Sequence, residues 1–146
     1  MIVRTILNAK ADGNVATTTA DQLVVDAAQV LHRRHIGALI VVNDQDDGIV
    51  GIFSERDIAR GVALQGENIR SLRVRDLMTS AVLVCSPNDS LHQLEEVMTL
   101  NRVRHLPVLE NGKLIGIITI GDVVKSCLED ANLQVDSLRT YVMEAR

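Results

Sequence analysis

The sequence predicts an α/β (α+β) chain built from two β-α-β-β-α repeats packed about a pseudo-twofold axis. Three observations carry that prediction. Gly51-Ile52-Phe53-Ser54-Glu55-Arg56-Asp57 returns as Gly116-Ile117-Ile118-Thr119-Ile120-Gly121-Asp122, 65 residues later. Upstream, Ile36 to Val42 lines up with Val103 to Leu109, and Thr19 to Val24 with Ser86 to Leu91, both at an offset of 67. The offset shrinks because the first copy has two extra residues in its turn, where an exposed loop tolerates them. Finally, 47% of residues are hydrophobic, yet there is one Phe, one Tyr and no Trp, which describes an aliphatic core. Units of about 60 residues are marginal alone, so the two repeats are expected to share one core.

The elements follow in order. Val3, Ile6 and Leu7 recur at helical spacing, so residues 1–14 read as an N-terminal helical segment ending near Asp12-Gly13. Repeat 1 spans 15–66. Val15 to Thr18 is β-branched and reads as a short strand. Thr19 or Asp21 caps a helix from Gln22 to Arg34, with Leu23, Val24, Ala27, Ala28 and Leu31 on one face. Gly37 ends it. Ala38 to Val42 is a continuous apolar run, as in a strand buried on both faces, and Ile49 to Phe53 returns as its hairpin partner. Ser54 opens a helix through Leu64. Residues 67–81 read as a polar linker. Repeat 2 spans 82–130: strand Val82 to Cys85, helix Ser90 to Leu100, strands Leu106 to Leu109 and Leu114 to Thr119, then a helix from Gly121. Residues 131–146 continue that helix, with a break near Asn132. Its apolar face is read either as an oligomer contact or as a cap on its own core.

Composition excludes several classes. A net charge near −4 and the shortage of aromatics argue against nucleic acid as a partner. No run approaches a membrane span, and the first residues turn polar too soon for a signal peptide, so the reading is cytoplasmic with no membrane partner. Cys85 and Cys127 lack the spacing of a metal cluster or disulfide framework and read as free thiols.

The repeated hydroxyl and carboxylate carry the chemistry. Ser54 and Thr119 stand where a strand passes into a helix. There a hydroxyl can cap the helix, and free N–H groups with a positive dipole end offer a phosphate seat. Asp57 and Asp122 follow one turn later, where a carboxylate can accept from the vicinal hydroxyls of a ribose. The same Ser/Thr-x-x-Asp spacing is also a plain capping signature. Arg56 reaches phosphate or is simply solvated. Arg102, Arg104 and His105 form a basic cluster at the start of a strand that can neutralise phosphate; the first copy has Gly37 and Ala38 in the places of Arg104 and His105. Gly51 and Gly116 permit either close ligand approach or close packing.

On these motifs, with the linker Arg75-Asp76-Leu77-Met78-Thr79, the chain resembles a tandem pair of cystathionine-β-synthase (CBS) domains, a Bateman module, over roughly residues 15–130. It is similar to short stand-alone bacterial CBS-pair proteins. The resemblance implies a non-enzymatic sensor of adenosyl ligands: AMP, ADP or ATP, with NAD(H) or S-adenosylmethionine as further candidates, and no metal. It implies that Asp57 and Asp122 hold ribose, that Ser54 and Thr119 hold phosphate, and that Thr17, Thr19, Gly37, Ala38, His105 and Pro107 line the base, in clefts between the repeats. It also implies a homodimer and an unidentified regulated protein. Two alternatives stand beside it: a ligand-independent interaction module and a nucleotide hydrolase.

Overall fold

The computed structural model describes residues 1–10 and 15–145. The chain forms two compact units. One comprises Met1–Gly13, Cys85–Glu110 and Gly116–Arg146; the other comprises Asn14–Val84 and Asn111–Ile115.

In the unit that holds repeat 1, strands β1 (Thr17–Thr18), β2 (Ala38–Val42) and β3 (Ile49–Ser54) form one sheet in the order β1-β2-β3. β1 runs parallel to β2, and β3 runs antiparallel to it, pairing Ala38 with Ser54 and Ile40 with Ile52. The first four residues of β2 are buried, as its unbroken apolar run requires, whereas β3 buries only Gly51 and Phe53, in alternation. Helix α2 (Val24–Arg34) buries Val24, Ala27 and Leu31, three positions of one helical face. Helix α3 (Glu55–Gln65) continues directly from β3. The polar linker expected over 67–81 is more ordered than its composition suggests. Gly66–Ser71 forms a 3-10 helix and Val74–Leu77 a short helix, α4. Val74 and Leu77 join the core of this unit with Leu39, Val41 and Phe53.

The other unit holds helix α1 (Val3–Ala9), α5 (Leu91–Asn101), strand β4 (His105–Glu110), the part of its hairpin partner β5 (Lys113–Thr119) from Gly116 on, and α6 (Ile120–Glu144). Its core joins Val3 and Ile6 to Leu94, Met98, Leu106, Val108, Ile118 and Val123. Asn111 and Gly112 both take positive φ, as a tight hairpin turn demands. The expected strand over 82–85 reduces to Cys85, which bridges Val108 in parallel. The expected helix break near Asn132 is absent; α6 runs unbroken for 25 residues. The expected end of the first helix at Asp12-Gly13 lies outside the described residues.

The duplication reaches further upstream than the sequence reading took it. Val3-Arg4-Thr5-Ile6-Leu7 matches Val74-Arg75-Asp76-Leu77-Met78 at an offset of 71. The two segments make equivalent backbone bonds. Val3 N–H donates to Asp89 O at 2.9 Å and Leu91 N–H to Met1 O at 3.0 Å. In the other unit Val74 N–H donates to Gln22 O at 2.8 Å and Val24 N–H to Leu72 O at 3.0 Å. The N-terminal segment therefore does for repeat 2 what α4 does for repeat 1.

Candidate functional site

The two strand-to-helix junctions place the sequence-predicted groups together, once in each unit. Thr119 ends β5 in extended conformation, and its hydroxyl accepts from Asp122 N–H at 3.1 Å. Asp122 Oδ2 accepts from Thr119 N–H at 2.9 Å. In repeat 1 Asp57 Oδ2 accepts from Ser54 N–H at 2.9 Å, and the Ser54 hydroxyl donates to the same oxygen at 3.2 Å. Capping is therefore realised at both junctions.

Each junction is closed by a second matched bond. Glu55 N–H donates to Gly37 O at 3.0 Å, and Ile120 N–H donates to Arg104 O at 2.9 Å. Ala38, buried, pairs across the sheet with Ser54. Pro107, also buried, gives its carbonyl to Cys85 N–H at 2.9 Å. His105 opens β4 and is half-buried. Arg104 and Arg56 are exposed and enter no ion pair among the described residues. Thr17 is exposed in β1, and Thr19 is half-buried just after it.

Gly51 and Gly116 take the packing role. A Cβ on Gly51 would lie 2.8 Å from Met78 Sδ and 3.0 Å from Thr79 O. One on Gly116 would lie 2.6 Å from Leu7 Cδ2. Leu7 and Met78 are the matched residues of the two upstream segments. Gly121 is different: an added Cβ would meet only Thr119 Oγ1, at 3.6 Å.

The carboxylates differ in what surrounds them. The Asp57 side chain is 5% exposed. Its Oδ1 pairs with Arg60 at 3.2 Å, and Arg60 also donates to Leu77 O at 2.8 Å. The Asp122 side chain is 21% exposed. Its Oδ2 accepts from Lys10 Nζ at 2.8 Å, and Lys10 also donates to Ile117 O at 2.9 Å. Asp122 Oδ1 takes no hydrogen bond among the described residues. Lys125, which occupies in α6 the place of Arg60 in α3, is exposed and does not reach Asp122. Sequence reasoning missed both Lys10 and Arg60. The signal for Lys10 was the Val-Arg-x-apolar-apolar match at residues 3–7 and 74–78, which ties the N-terminal segment to repeat 2.

Neither thiol offers a nucleophile near neutrality. Burial, then the charge of Asp89, pushes Cys85 up to about 12. The hydrogen bond to Glu95 and then burial raise Cys127 to about 11. Among the described residues no group of three or more His, Cys, Asp or Glu side chains is placed to hold a metal ion. No helix among them is long and apolar enough to cross a membrane.

Known proteins share this fold. The CBS-domain family model matches residues 4–64 and 74–129. Both matched segments include a junction described above. The chain is 33% identical over 135 residues to the mitochondrial CBS domain-containing protein CBSX3 of Arabidopsis thaliana, covering 90% of this chain and 66% of that protein. It is 44% identical to a CBS-domain-containing protein from Agrobacterium tumefaciens of known crystal structure, with a TM-score of 0.81 over 85% of this chain and 91% of that one. A CBS domain pair crystallised with 5′-methylthioadenosine and S-adenosyl-L-methionine aligns with a TM-score of 0.77 over 89% of this chain and 98% of that one; at 21% identity it shows the shared fold. Two repeats of matched element order, each with its own capped hydroxyl–carboxylate junction, and these likenesses lead to one conclusion: the chain belongs to the CBS-domain family, as a tandem pair.

Proposed function

We propose that this chain is a non-enzymatic regulatory module that binds an adenosyl ligand, and that the β5–α6 junction is where it binds. The observation that supports this most is the state of Asp122. Its carboxylate is partly open, with Oδ1 unengaged among the described residues, and it stands beside the N-terminal turn of a 25-residue helix. An open acceptor suits a ribose hydroxyl, and the helix start suits an anionic phosphate. The exposed Arg104, in no ion pair among the described residues, can add a forked donor to that phosphate. AMP, ADP, ATP and NAD(H) all carry both groups. The adenosyl ligands of the CBS pair described above add S-adenosylmethionine to the candidates.

The Asp57 junction is a poorer site as it stands. Both carboxylate oxygens are engaged and the side chain is almost fully buried. That observation favours the interaction-module reading for repeat 1 alone. The exposed apolar residues of α6, among them Leu128, Leu138 and Tyr141, support self-association as the route by which binding is reported to a partner protein. Regulation requires that ligand favour one of two states of the assembly.

The test is calorimetric titration of AMP, ATP, NADH and S-adenosylmethionine into the wild-type chain and Thr119→Ala, with sedimentation to follow assembly. Binding of at least one ligand, weakened in the variant, is expected. No heat with any of the four overturns the reading.

A further inference from the structure

The structure assigns Lys10 a place in the ligand site of repeat 2: together with Asp122 it forms a two-part clamp for the cis-diol of a ribose. The assignment rests on the functional reading above and names the residue that makes the site select ribose over deoxyribose.

The argument starts from hydrogen-bond capacity. An ammonium has three N–H donors and a carboxylate can accept at both oxygens. Lys10 spends two donors, on Asp122 Oδ2 at 2.8 Å and on Ile117 O at 2.9 Å. Asp122 Oδ2 already receives two, from Lys10 and from Thr119 N–H. Among the described residues one donor on Lys10 and one oxygen on Asp122 are left, on two groups already bonded to each other. Both side chains reach solvent, at 26% and 21% exposure.

A carboxylate acting alone reads a cis-diol by taking one hydroxyl on each oxygen. Here the crowding of Oδ2 works against that arrangement. The arrangement is mixed instead: Oδ1 accepts from the 3′-hydroxyl, and Lys10 donates to the 2′-oxygen beside it. The oxygens of a cis-diol lie about one hydrogen-bond length apart, so they suit adjacent acceptor and donor atoms. Backbone groups fix both halves. Thr119 N–H holds Asp122 and Ile117 O holds Lys10, so the pair is set before ligand arrives, and little ordering is left to be done on binding.

Repeat 1 supplies the contrast. Arg60 is tied to a backbone carbonyl in the same way, but it engages Asp57 Oδ1 while Ser54 fills Oδ2. Both oxygens there are engaged, and the side chain is only 5% exposed. At the offset of 71 the counterpart of Lys10 is Ala81, which has nothing to donate.

The test is calorimetric titration of AMP and 2′-deoxy-AMP into the full chain as wild type, Lys10→Met and Lys10→Arg, with a thermal melt of each. A lost hydrogen bond to a charged group in a site built for it implies that wild type prefers AMP by about tenfold or more. Lys10→Met is expected to cut that preference to less than about threefold, mainly by weakening AMP, and Lys10→Arg to restore most of it. A purely structural lysine moves the melt and leaves the preference unchanged, which overturns the proposal. So does equal tightening of both nucleotides in Lys10→Met, the signature of a lysine that blocks the site. Wild type that ignores both nucleotides overturns the proposal as stated; if it also ignores ATP, NADH and S-adenosylmethionine, the functional reading falls with it.

Discussion

Lys10 stands 112 residues from Asp122 in the chain and 2.8 Å from it in space. The contact exists because α1 belongs to the core of repeat 2. Val3 and Ile6 are buried against Leu94 and Leu106, and Leu7 lies on Gly116. The helix delivers its C-terminal lysine to the junction where β5 passes into α6.

Alanine at the two matched glycines is expected to destabilise unequally. At Gly51 the new methyl meets the Thr79 carbonyl at 3.0 Å as well as Met78, and a backbone atom cannot step aside. At Gly116 its three nearest neighbours all belong to the Leu7 side chain. Overpacking of this kind costs about 1–3 kcal/mol, so Gly51→Ala should fall in the upper part of that range and Gly116→Ala in the lower. Urea unfolding measures both. Trimming the obstacle with Leu7→Ala should remove most of the penalty specific to Gly116→Ala. Equal losses at both glycines would show that the contacts are not what sets the cost.

Thr119→Ala removes the acceptor of Asp122 N–H and is expected to cost about 0.5–2 kcal/mol, the usual range for a lost N-cap. Ser54→Ala should cost less. The Ser54 hydroxyl is a donor to Asp57, and that carboxylate keeps both Ser54 N–H and Arg60 when the hydroxyl is gone. Thermal melts of the two variants rank them. Equal losses would make the hydrogen-bond difference immaterial, and the reverse order would contradict it.

How much of this was legible beforehand varied with the physics of each segment. The hairpin of β2 and β3 was readable because Ala38 to Val42 is apolar without interruption and a polar turn follows. The hydroxyl and carboxylate of each junction were readable because the motif occurs twice. The strand expected at 82–85 was not formed beyond Cys85: Val82 to Val84 have strand-like composition, but composition does not supply a pairing partner. The break expected near Asn132 did not occur, since one helix-weak residue inside a long helix costs less than ending it. Lys10 was illegible as a site residue because its position depends on a contact distant in sequence. Only the five-residue match at 3–7 and 74–78 hinted at it.

Cys85 gives the fold an alkaline limit. Its folded value is raised to about 12 from an unfolded value of 9.0, chiefly by burial. Above pH 9 the unfolded thiol loses its proton while the folded one keeps it, so the unfolded state binds fewer protons and stability falls as pH rises. The contribution is fully present below pH 9 and is lost progressively toward pH 12. Cys85→Ala should lower stability at neutral pH and flatten this part of the profile. Urea unfolding of both proteins from pH 7 to pH 11 measures the difference in slope; parallel profiles would rule out Cys85 as the source.

The functional account turns on one asymmetry, that the carboxylate of repeat 2 is partly open to solvent and that of repeat 1 is buried with both oxygens engaged. The most direct measurement is calorimetric titration of AMP into Asp122→Asn and Asp57→Asn, since asparagine keeps an acceptor for each cap. Asp122→Asn is expected to weaken binding by about tenfold or more, the worth of a hydrogen bond to a charged group, while Asp57→Asn leaves it within about threefold of wild type. Loss of binding in Asp57→Asn with full binding in Asp122→Asn, or wild-type binding in both, would contradict the account.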